Sequence, residues 1–503
     1  MRYILGIDIG TTAIKAAVIG EDGKVYGEET CEYVLTTMPS GEVEADLQLY
    51  SEAFSGAVRG AVRNSNADKK DIKCIGFSST AETCVFLDEN NKPLCKVIAW
   101  MDMRGTKEAE YLSKHFSKKD IISKVGFDNI YAIHPISKIL AVKNKSPEVF
   151  SNTRMFAQIK DYFVYVLSGR FITEYSVASD HGFFDITNRC YWQEMLDFVG
   201  IDRKYLPELV EPGTEIGKIT EEAAEAFGLD PDTAINVGAF DQACGAIGAG
   251  NIKPGIASES TGSALVTVAT IEELSPDSKG DVPTLCSGIA GKYIYQPYCT
   301  GAMITKWFRD AFCEQEKELE KETGLNAYTQ MDQLVESTPP GADGLIMLPY
   351  FQGSGIPELN EKASGVYYGI NAGHTRGHFI RAIMEGLAIA LKRMLECEKE
   401  LGAAMDEIRS LGGGSKSKAW CQIKADILGI PVKVIKNSGS TPCMGCAILA
   451  GVANGIWASV EDAAEKFVEI KETYYPNPEN AEVYAEAYQK YVEITNALNP
   501  TFR

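Results

Sequence analysis

Two short turns rich in Gly, Ser and Thr sit in matching surroundings in the two halves of this chain. The first, Gly10-Thr11-Thr12, separates the apolar runs 3–9 and 13–19. The second, Thr261-Gly262-Ser263, separates 256–259 and 265–270. Short apolar runs on either side of such a turn read as paired strands. A strand–turn–strand unit that recurs half a chain later restricts the fold to two related α/β halves, each carrying a mixed sheet. The length agrees: 503 residues exceed what one core accommodates, and two domains of roughly 250 residues are expected. The break belongs near Gly248–Pro254, where Gly-Ala-Gly-Asn-Ile-Lys-Pro interrupts a helical stretch. This gives an N-terminal domain over 1–248 and a C-terminal domain over 249–503.

The remaining pattern fits that frame. Asp22-Gly23 between apolar runs marks a hairpin leading into a strand over 25–34. Further strands are expected at 75–79, 83–87, 97–100 and 234–239. Apolar residues at helical spacing place helices at 47–62, 106–115, 303–322, 378–401 and 418–428. Residues 410–414, Ser-Leu-Gly-Gly-Gly, end a strand in glycines just before a helix.

Composition removes several function classes. The net charge of -20 argues against a partner that is a nucleic acid or an anionic membrane, because both select Lys/Arg-rich faces. The thirteen cysteines form no zinc spacing and read as reduced thiols of a cytoplasmic protein. The one C-x-x-C, Cys443 and Cys446, opens a run of small helical residues and is expected to have no redox role. Asp8 interrupts the N-terminal apolar stretch too early for a signal peptide, and no segment is long and apolar enough to span a membrane.

Four elements can carry chemistry. Asp8, at a strand end, can hold Mg²⁺ directly or through water, and the turn after it can offer N–H groups and hydroxyls to phosphate. Thr261-Gly262-Ser263 is a second such turn, and the repeat would set the two opposite one another across a central cleft. Gly412, Gly413 and Gly414 let the backbone approach a flat or anionic ligand. Asp241, between a strand and a small-residue helix, can accept a proton from a hydroxyl attacking a phosphate. Each has an ordinary alternative when taken alone: a hairpin turn, a tight connection, an N-cap aspartate.

Together these residues resemble the FGGY family of carbohydrate kinases over nearly the whole length. Gly365-Val366-Tyr367-Tyr368-Gly369-Ile370, seven further residues, then His378-Phe379-Ile380-Arg381-Ala382-Ile383-Met384-Glu385 match that family's second signature. Gly6–Thr12 is similar to its first phosphate motif, and Leu411–Gly414 with Trp420 and Asp426 looks like its adenosine motif. The resemblance implies two actin-like (ribonuclease H-like) domains around a cleft, ATP with Mg²⁺, and Asp241 as catalytic base. It implies phosphate contacts from Gly10, Thr11, Thr12, Lys15, Thr261, Gly262 and Ser263, and adenosine contacts from Gly412, Gly413 and Gly414. A small sugar or polyol is the expected partner, and a homodimer the expected assembly.

The substrate signals diverge. Lys138 fits the family's first signature, but Ala141 replaces its usual Trp. Xylulokinases carry Met-His at the positions of Ala81-Glu82 and Asn after the catalytic Asp, where this chain has Gln242. Glu82, Trp100, Tyr131, Asp241 and Gln242 instead look like the glycerol-contacting set of glycerol kinases, with Ala81 replacing their Arg. Segments 306–313 and 338–350 resemble pentulose kinases and autoinducer-2 kinase. The reading is a ketopentose kinase, with a glycerol, tetritol or other polyol kinase as alternative. A non-catalytic sugar or nucleotide sensor and an actin-like filament or chaperone ATPase are the other classes this fold admits. Ala81 and Glu82 are expected to set substrate length. A Glu in the apolar stretch 77–87 is itself informative, since a buried unpaired carboxylate costs several kcal/mol.

Overall fold

The computed structural model describes residues 1–502, and the chain divides into two compact units. The first holds residues 1–252, 271–294 and 440–468; the second holds 253–270, 295–439 and 469 onward.

The first unit is built on a six-stranded sheet in the order Glu215–Lys218, Ala234–Phe240, Ile72–Ser79, Tyr3–Ile9, Ala13–Gly20, Val25–Glu32. The three central strands run parallel, their neighbours Glu215–Lys218 and Ala13–Gly20 run antiparallel to them, and Val25–Glu32 runs antiparallel to Ala13–Gly20. Sequence explains the placement. Ile4, Leu5, Ile7 and Ile9 are wholly buried, as a strand covered on both faces requires. Val25–Glu32, at the sheet edge, mixes exposed and covered residues and buries only Gly27. The helix Leu47–Ser65 lays Leu47, Tyr50, Phe54, Val58 and Ala61 on one face of this core. The helix Thr441–Ala453 lies directly on the strands: a Cβ at Gly6 or Gly76 would collide with backbone at Cys443 or Cys446.

The second unit repeats the plan. Gly255–Thr261 and Ala264–Ile271 form an antiparallel hairpin, Met405–Gly412 and Val432–Ile435 follow in parallel, and Ile470–Tyr474 closes antiparallel. The internal repeat inferred from the two turns is therefore present over five strands, although the second sheet has eight strands to the first's six.

A second, five-stranded sheet in the first unit contains the expected strands at 83–87 and 97–100, but its assembly as a separate sheet has no counterpart in the sequence reading. It joins Thr36–Thr37, Val43–Ala45, Val97–Ile98, Cys84–Leu87 and Met155–Gln158. Two expected elements are corrected. The strand over 97–100 stops at Ile98, because the carbonyls of Ala99 and Trp100 accept from the Lys138 ammonium. The helix over 303–322 is two helices, Met303–Phe312 and Glu314–Thr323, broken at Cys313, whose backbone leaves the helical region (φ -117, ψ 51). All thirteen cysteines are free thiols. The Cys443 and Cys446 thiols give their hydrogens to backbone carbonyls, and burial pushes both well above the usual thiol range, so neither has the thiolate character of a redox pair. Among the described residues no helix is long and apolar enough to cross a membrane.

Candidate active site

In the first unit, Asp8 lies near the end of its strand opposite Ser78 of the parallel neighbour, and the Ser78 hydroxyl donates to Asp8 Oδ1 at 2.8 Å. The second unit repeats the pair at the matching register: Glu259 faces Ser410 and accepts from its hydroxyl. The two carboxylates differ in how they are neutralised. Glu259 meets the buried ammonium of Lys424 at 2.5 Å. Asp8 has the hydroxyl and a Coulombic pull from Lys15, while burial raises its pKa. Lys15 itself binds Ser440 Oγ at 2.7 Å and Glu28 at 3.1 Å. Among the described residues Asp8 thus has no direct ion pair of the kind Glu259 makes, and a bound cation would favour its charged form.

The turn after Asp8 is shaped for an anion. Gly10 N–H closes it on Ala13 O at 3.1 Å. Among the described residues the N–H groups of Thr11 and Thr12 have no hydrogen-bond partner, and Thr12 is exposed. Neighbouring free N–H groups in a turn form a concavity suited to phosphate oxygens.

The large sheet hands over to the small one through Thr80–Thr83. There Glu82 adopts a left-handed backbone (φ 57), unusual for a non-glycine residue. Lys138, in the helix Pro135–Lys145, holds this conformation in place. Its fully buried ammonium donates to the carbonyls of Glu82 (2.8 Å), Ala99 (2.9 Å) and Trp100 (2.7 Å). One lysine thereby fixes two of the expected substrate residues. The Glu82 side chain is 9% exposed and makes no hydrogen bond with any described residue. Ala81 beside it is wholly buried. The Trp100 indole N–H donates to the Thr11 hydroxyl at 2.9 Å. Tyr131 donates its hydroxyl to Asp128 at 2.5 Å and packs edge-on against Phe127 and His134.

Asp241 is the first residue of the helix Asp241–Gly248, directly after the strand Ala234–Phe240. The junction is anchored from below: Phe240 N–H donates to Ser176 Oγ at 2.9 Å, Ser176 donates to Glu174, and Glu174 pairs with Lys160 where both side chains are wholly buried. Asp241 Oδ1 is sealed from solvent and has no hydrogen-bond partner. Burial, then the charges of Asp8 and Glu82, push Asp241 well above the usual carboxylate range; hydrogen bonds from Gln242 oppose this. Glu82 is raised in turn by burial and by Asp180. Asp180 is pushed up to about 8 by burial and by Asp241. The structure therefore brings Asp8, Glu82, Asp241 and Gln242 into one electrostatic neighbourhood and adds Asp180. Sequence reasoning passed over Asp180, which stands between Ser179 and His181 with no apolar run to mark it as buried.

In the second unit, Gly262 and Ser263 form the exposed tip of the hairpin, closed by Gly262 N–H on Ala264 O at 2.9 Å. Thr261 is different. Its hydroxyl donates to Glu259 at 2.5 Å and accepts from Lys424 at 3.1 Å, so it is engaged within the protein. Of the three glycines, Gly412 has a left-handed φ of 72, and a Cβ at Gly414 would come within 2.7 Å of Thr261 Cβ. A Cβ at Gly413 would meet only Thr261 O, at 3.8 Å. Packing therefore requires glycine at 412 and 414. At 413 it leaves open space, as a cradle for a ligand would.

His134 and His181 are buried and pushed down to about 3, so both are neutral. Among the described residues no group of three or more His, Cys, Asp or Glu side chains converges as a metal cage. A lone carboxylate such as Asp8 is instead what Mg²⁺ uses when waters and phosphates fill its other positions.

This arrangement of hairpin turns, strand-end carboxylates and a glycine-rich strand end agrees with what the chain is similar to. It matches the FGGY family of carbohydrate kinases, N-terminal domain, over residues 3–248 and the C-terminal domain of the same family over 293–454. It belongs to the FGGY family of carbohydrate kinases. The xylulose kinase of Bacillus subtilis (strain 168) is 31% identical over 100% of this chain and 99% of its own length. The gluconokinase of Bacillus licheniformis is 29% identical over 99% of this chain and 96% of its own. Among solved structures, ligand-bound xylulose kinase from Lactobacillus acidophilus superposes with a TM-score of 0.91 at 25% identity, covering 100% of this chain and 99% of that one. This FGGY kinase is thus an ATP-dependent carbohydrate kinase with the expected two-domain actin-like α/β fold, acting on a small molecule.

Proposed function

We propose that this kinase transfers the terminal phosphoryl group of ATP to a hydroxyl of a ketopentose, with Asp241 as the base. The observation that carries the reading is the sealed, unpartnered Oδ1 of Asp241 at a strand–helix junction, where burial and then the charges of Asp8 and Glu82 push it above the usual carboxylate range. A carboxylate raised toward neutrality is a stronger base than a free one and suits proton transfer at working pH. In the step, the substrate hydroxyl oxygen bonds to the γ-phosphorus, the bond from phosphorus to the β–γ bridging oxygen breaks, and the hydroxyl proton passes to Asp241. Thr11 and Thr12 N–H groups and the Ser263 turn hold phosphate oxygens. Gly413 gives the adenosine room. Positioning and fixed donors of this kind supply most of the acceleration in phosphoryl transfer.

Mg²⁺, held by Asp8 directly or through water, would neutralise charge on the transferred phosphate. The lack of a direct ion pair at Asp8 among the described residues, against the lysine-paired Glu259 of the repeat, supports that role. Glu82 and Gln242 bind substrate hydroxyls, the Trp100 ring flanks them with its N–H kept by Thr11, and Ala81, smaller than an arginine, removes a bulky donor that would favour glycerol.

The ketopentose reading rests on xylulose kinase relatives that align from end to end. A screen of ATP consumption over ketopentoses, pentitols, tetritols, gluconate and glycerol tests it. We expect a four- to six-carbon substrate to exceed glycerol in kcat/KM by at least about tenfold, the worth of one good contact. Equal or better turnover of glycerol would refute the size argument.

A further inference from the structure

Tyr33 follows directly on the edge strand Val25–Glu32, whose Glu32 pairs with Ala13 just after the Gly10–Thr12 turn. That register sets Tyr33 beside the turn, and Tyr33 ties it back at both ends. Its backbone N–H donates to Thr12 O at 3.0 Å, and its hydroxyl donates to Gly10 O. The strand before it buries only Gly27, yet Tyr33 is 8% exposed and its ring lies against that of Tyr50, with centroids 4.4 Å apart. Burial holds the phenol well above its usual range, so the hydroxyl remains a donor at working pH. A trans peptide is planar, and its C=O and N–H point in opposite directions. Gly10 C=O and Thr11 N–H belong to one such peptide. Holding the carbonyl toward Tyr33 therefore aims the Thr11 N–H, which has no partner among the described residues, to the other side.

The second unit ties back the equivalent carbonyls with backbone alone. Gly10 and Gly262 each donate their N–H to the alanine that opens the next strand, Ala13 and Ala264, so Gly262 corresponds to Gly10 and Ser263 to Thr12. Gly262 O accepts from Ala302 N–H at 2.8 Å, and Ser263 O accepts from Gly301 N–H at 3.0 Å. The approach is close: a Cβ at Gly301 would come within 2.3 Å of the Ala264 carbonyl carbon. What the two halves share is thus the orientation of the turn, and the tyrosine is the first half's means of setting it.

We propose that Tyr33 is a positioning residue for nucleotide phosphate: by tying back the carbonyls of Gly10 and Thr12 it presents the Thr11 N–H to a phosphate oxygen. This rests on the reading of the Gly10–Thr12 turn as a phosphate site. A concavity of N–H groups attracts an anion only while the carbonyls of the same turn face elsewhere. Donors fixed in advance also spare the ordering cost that a loose turn would meet on binding.

The test uses the full chain with Mg²⁺ and two probes: AMP-PNP, and adenosine, which lacks phosphate. Tyr33→Phe removes the hydroxyl and keeps both the ring on Tyr50 and the backbone bond to Thr12. By calorimetry the variant should bind AMP-PNP about three- to tenfold more weakly, the worth of one neutral hydrogen bond, and adenosine as the wild type does. NMR of isotope-labelled threonine amides supplies the second readout. In the wild type the Thr11 and Thr12 signals should shift on adding AMP-PNP and stay in place with adenosine. In the variant the Thr11 shift should shrink. Unchanged AMP-PNP affinity in Tyr33→Phe, with the wild-type amides shifting as expected, would overturn this proposal alone. So would a variant that loses AMP-PNP and adenosine equally, since the hydroxyl would then support the fold at large. Wild-type Thr11 and Thr12 amides that ignore bound AMP-PNP would overturn the reading of the turn as a phosphate site, and this proposal with it.

Discussion

The indole N–H of Trp100 donates to the hydroxyl of Thr11 at 2.9 Å. The bond joins a residue expected to face the sugar to one expected to face phosphate, and Lys138 fixes the Trp100 carbonyl from behind. Such a link should matter to transfer more than to folding. Trp100→Phe and Thr11→Val should each lower kcat/KM by about three- to thirtyfold, and the double variant should lose less than the product of the two. The coupling expected from one partly buried neutral hydrogen bond is about 1 kcal/mol. Strictly additive losses in the double-mutant cycle would mean that the two residues act independently.

Asp241 offers the sharpest test of the chemistry. Asp241→Asn keeps the shape and removes the proton acceptor; Asp241→Ala removes both. Phosphoryl transfer should fall by about two to four orders of magnitude in either, the usual contribution of a positioned base. ATP affinity, measured by calorimetry, should be retained. A variant with more than roughly a tenth of wild-type kcat would take Asp241 out of that role.

How much of this was legible in the sequence depends on the range of the interactions involved. The hairpins at Gly10–Thr12 and Gly262–Ser263 are local events set by a few turn residues between apolar runs, and they stand where the sequence put them. The helices 106–115 and 418–428 likewise follow from apolar spacing and agree to the residue. The five-stranded sheet depends on Cys84–Leu87 pairing with Met155–Gln158, a partner far along the chain with no local signal. Lys138 fitted a family motif, but its three carbonyl bonds to two separate loops could be read only from the fold. Thr261 was legible as a turn residue, and its engaged hydroxyl was not, because Glu259 and Lys424 close on it only after the second sheet forms.

Lys138 should be essential to the site without touching substrate. Lys138→Met retains the apolar stem and leaves the carbonyls of Glu82, Ala99 and Trp100 without their shared donor. The loss should be about 2–4 kcal/mol of stability, since unsatisfied buried acceptors cost about 1–3 kcal/mol each and relaxation recovers part. Urea denaturation measures it. A change below about 0.5 kcal/mol, the size of an ordinary surface substitution, would show that other donors replace the ammonium.

The glycine triplet separates ligand binding from folding. Gly413→Val places its side chain where the protein leaves room, so the variant should fold normally and bind ATP at least about tenfold more weakly, the worth of one blocked close contact. Gly414→Val drives a branched side chain into Thr261 and should lower the melting temperature whether or not ATP is present. Unchanged ATP affinity in a folded Gly413→Val would place the nucleotide elsewhere.

The carboxyl cluster also makes a prediction about stability and pH. Asp180 is pushed up to about 8 in the folded chain, against about 3.9 for an unperturbed Asp. Between those values the folded state binds more protons at this site than the unfolded state, so the site's contribution to stability falls as pH rises from about 4 to about 8. Burial raises Glu82 and Asp241 in the same direction. His134 and His181 act oppositely, because both are pushed down to about 3 and favour the folded state as pH climbs through their unfolded range. They are common to wild type and variant, so a difference measurement cancels them to first order. Asp180→Asn removes one titrating carboxyl and keeps its volume. Without ligands, the gap between its melting temperature and that of the wild type should be small near pH 4 and widen by a few degrees toward pH 8.5, because the unfolded wild type is ionised across this range while the folded one holds its proton until about pH 8. An equal gap at both pH values would mean that the substitution acts through packing and that Asp180 does not titrate in this window.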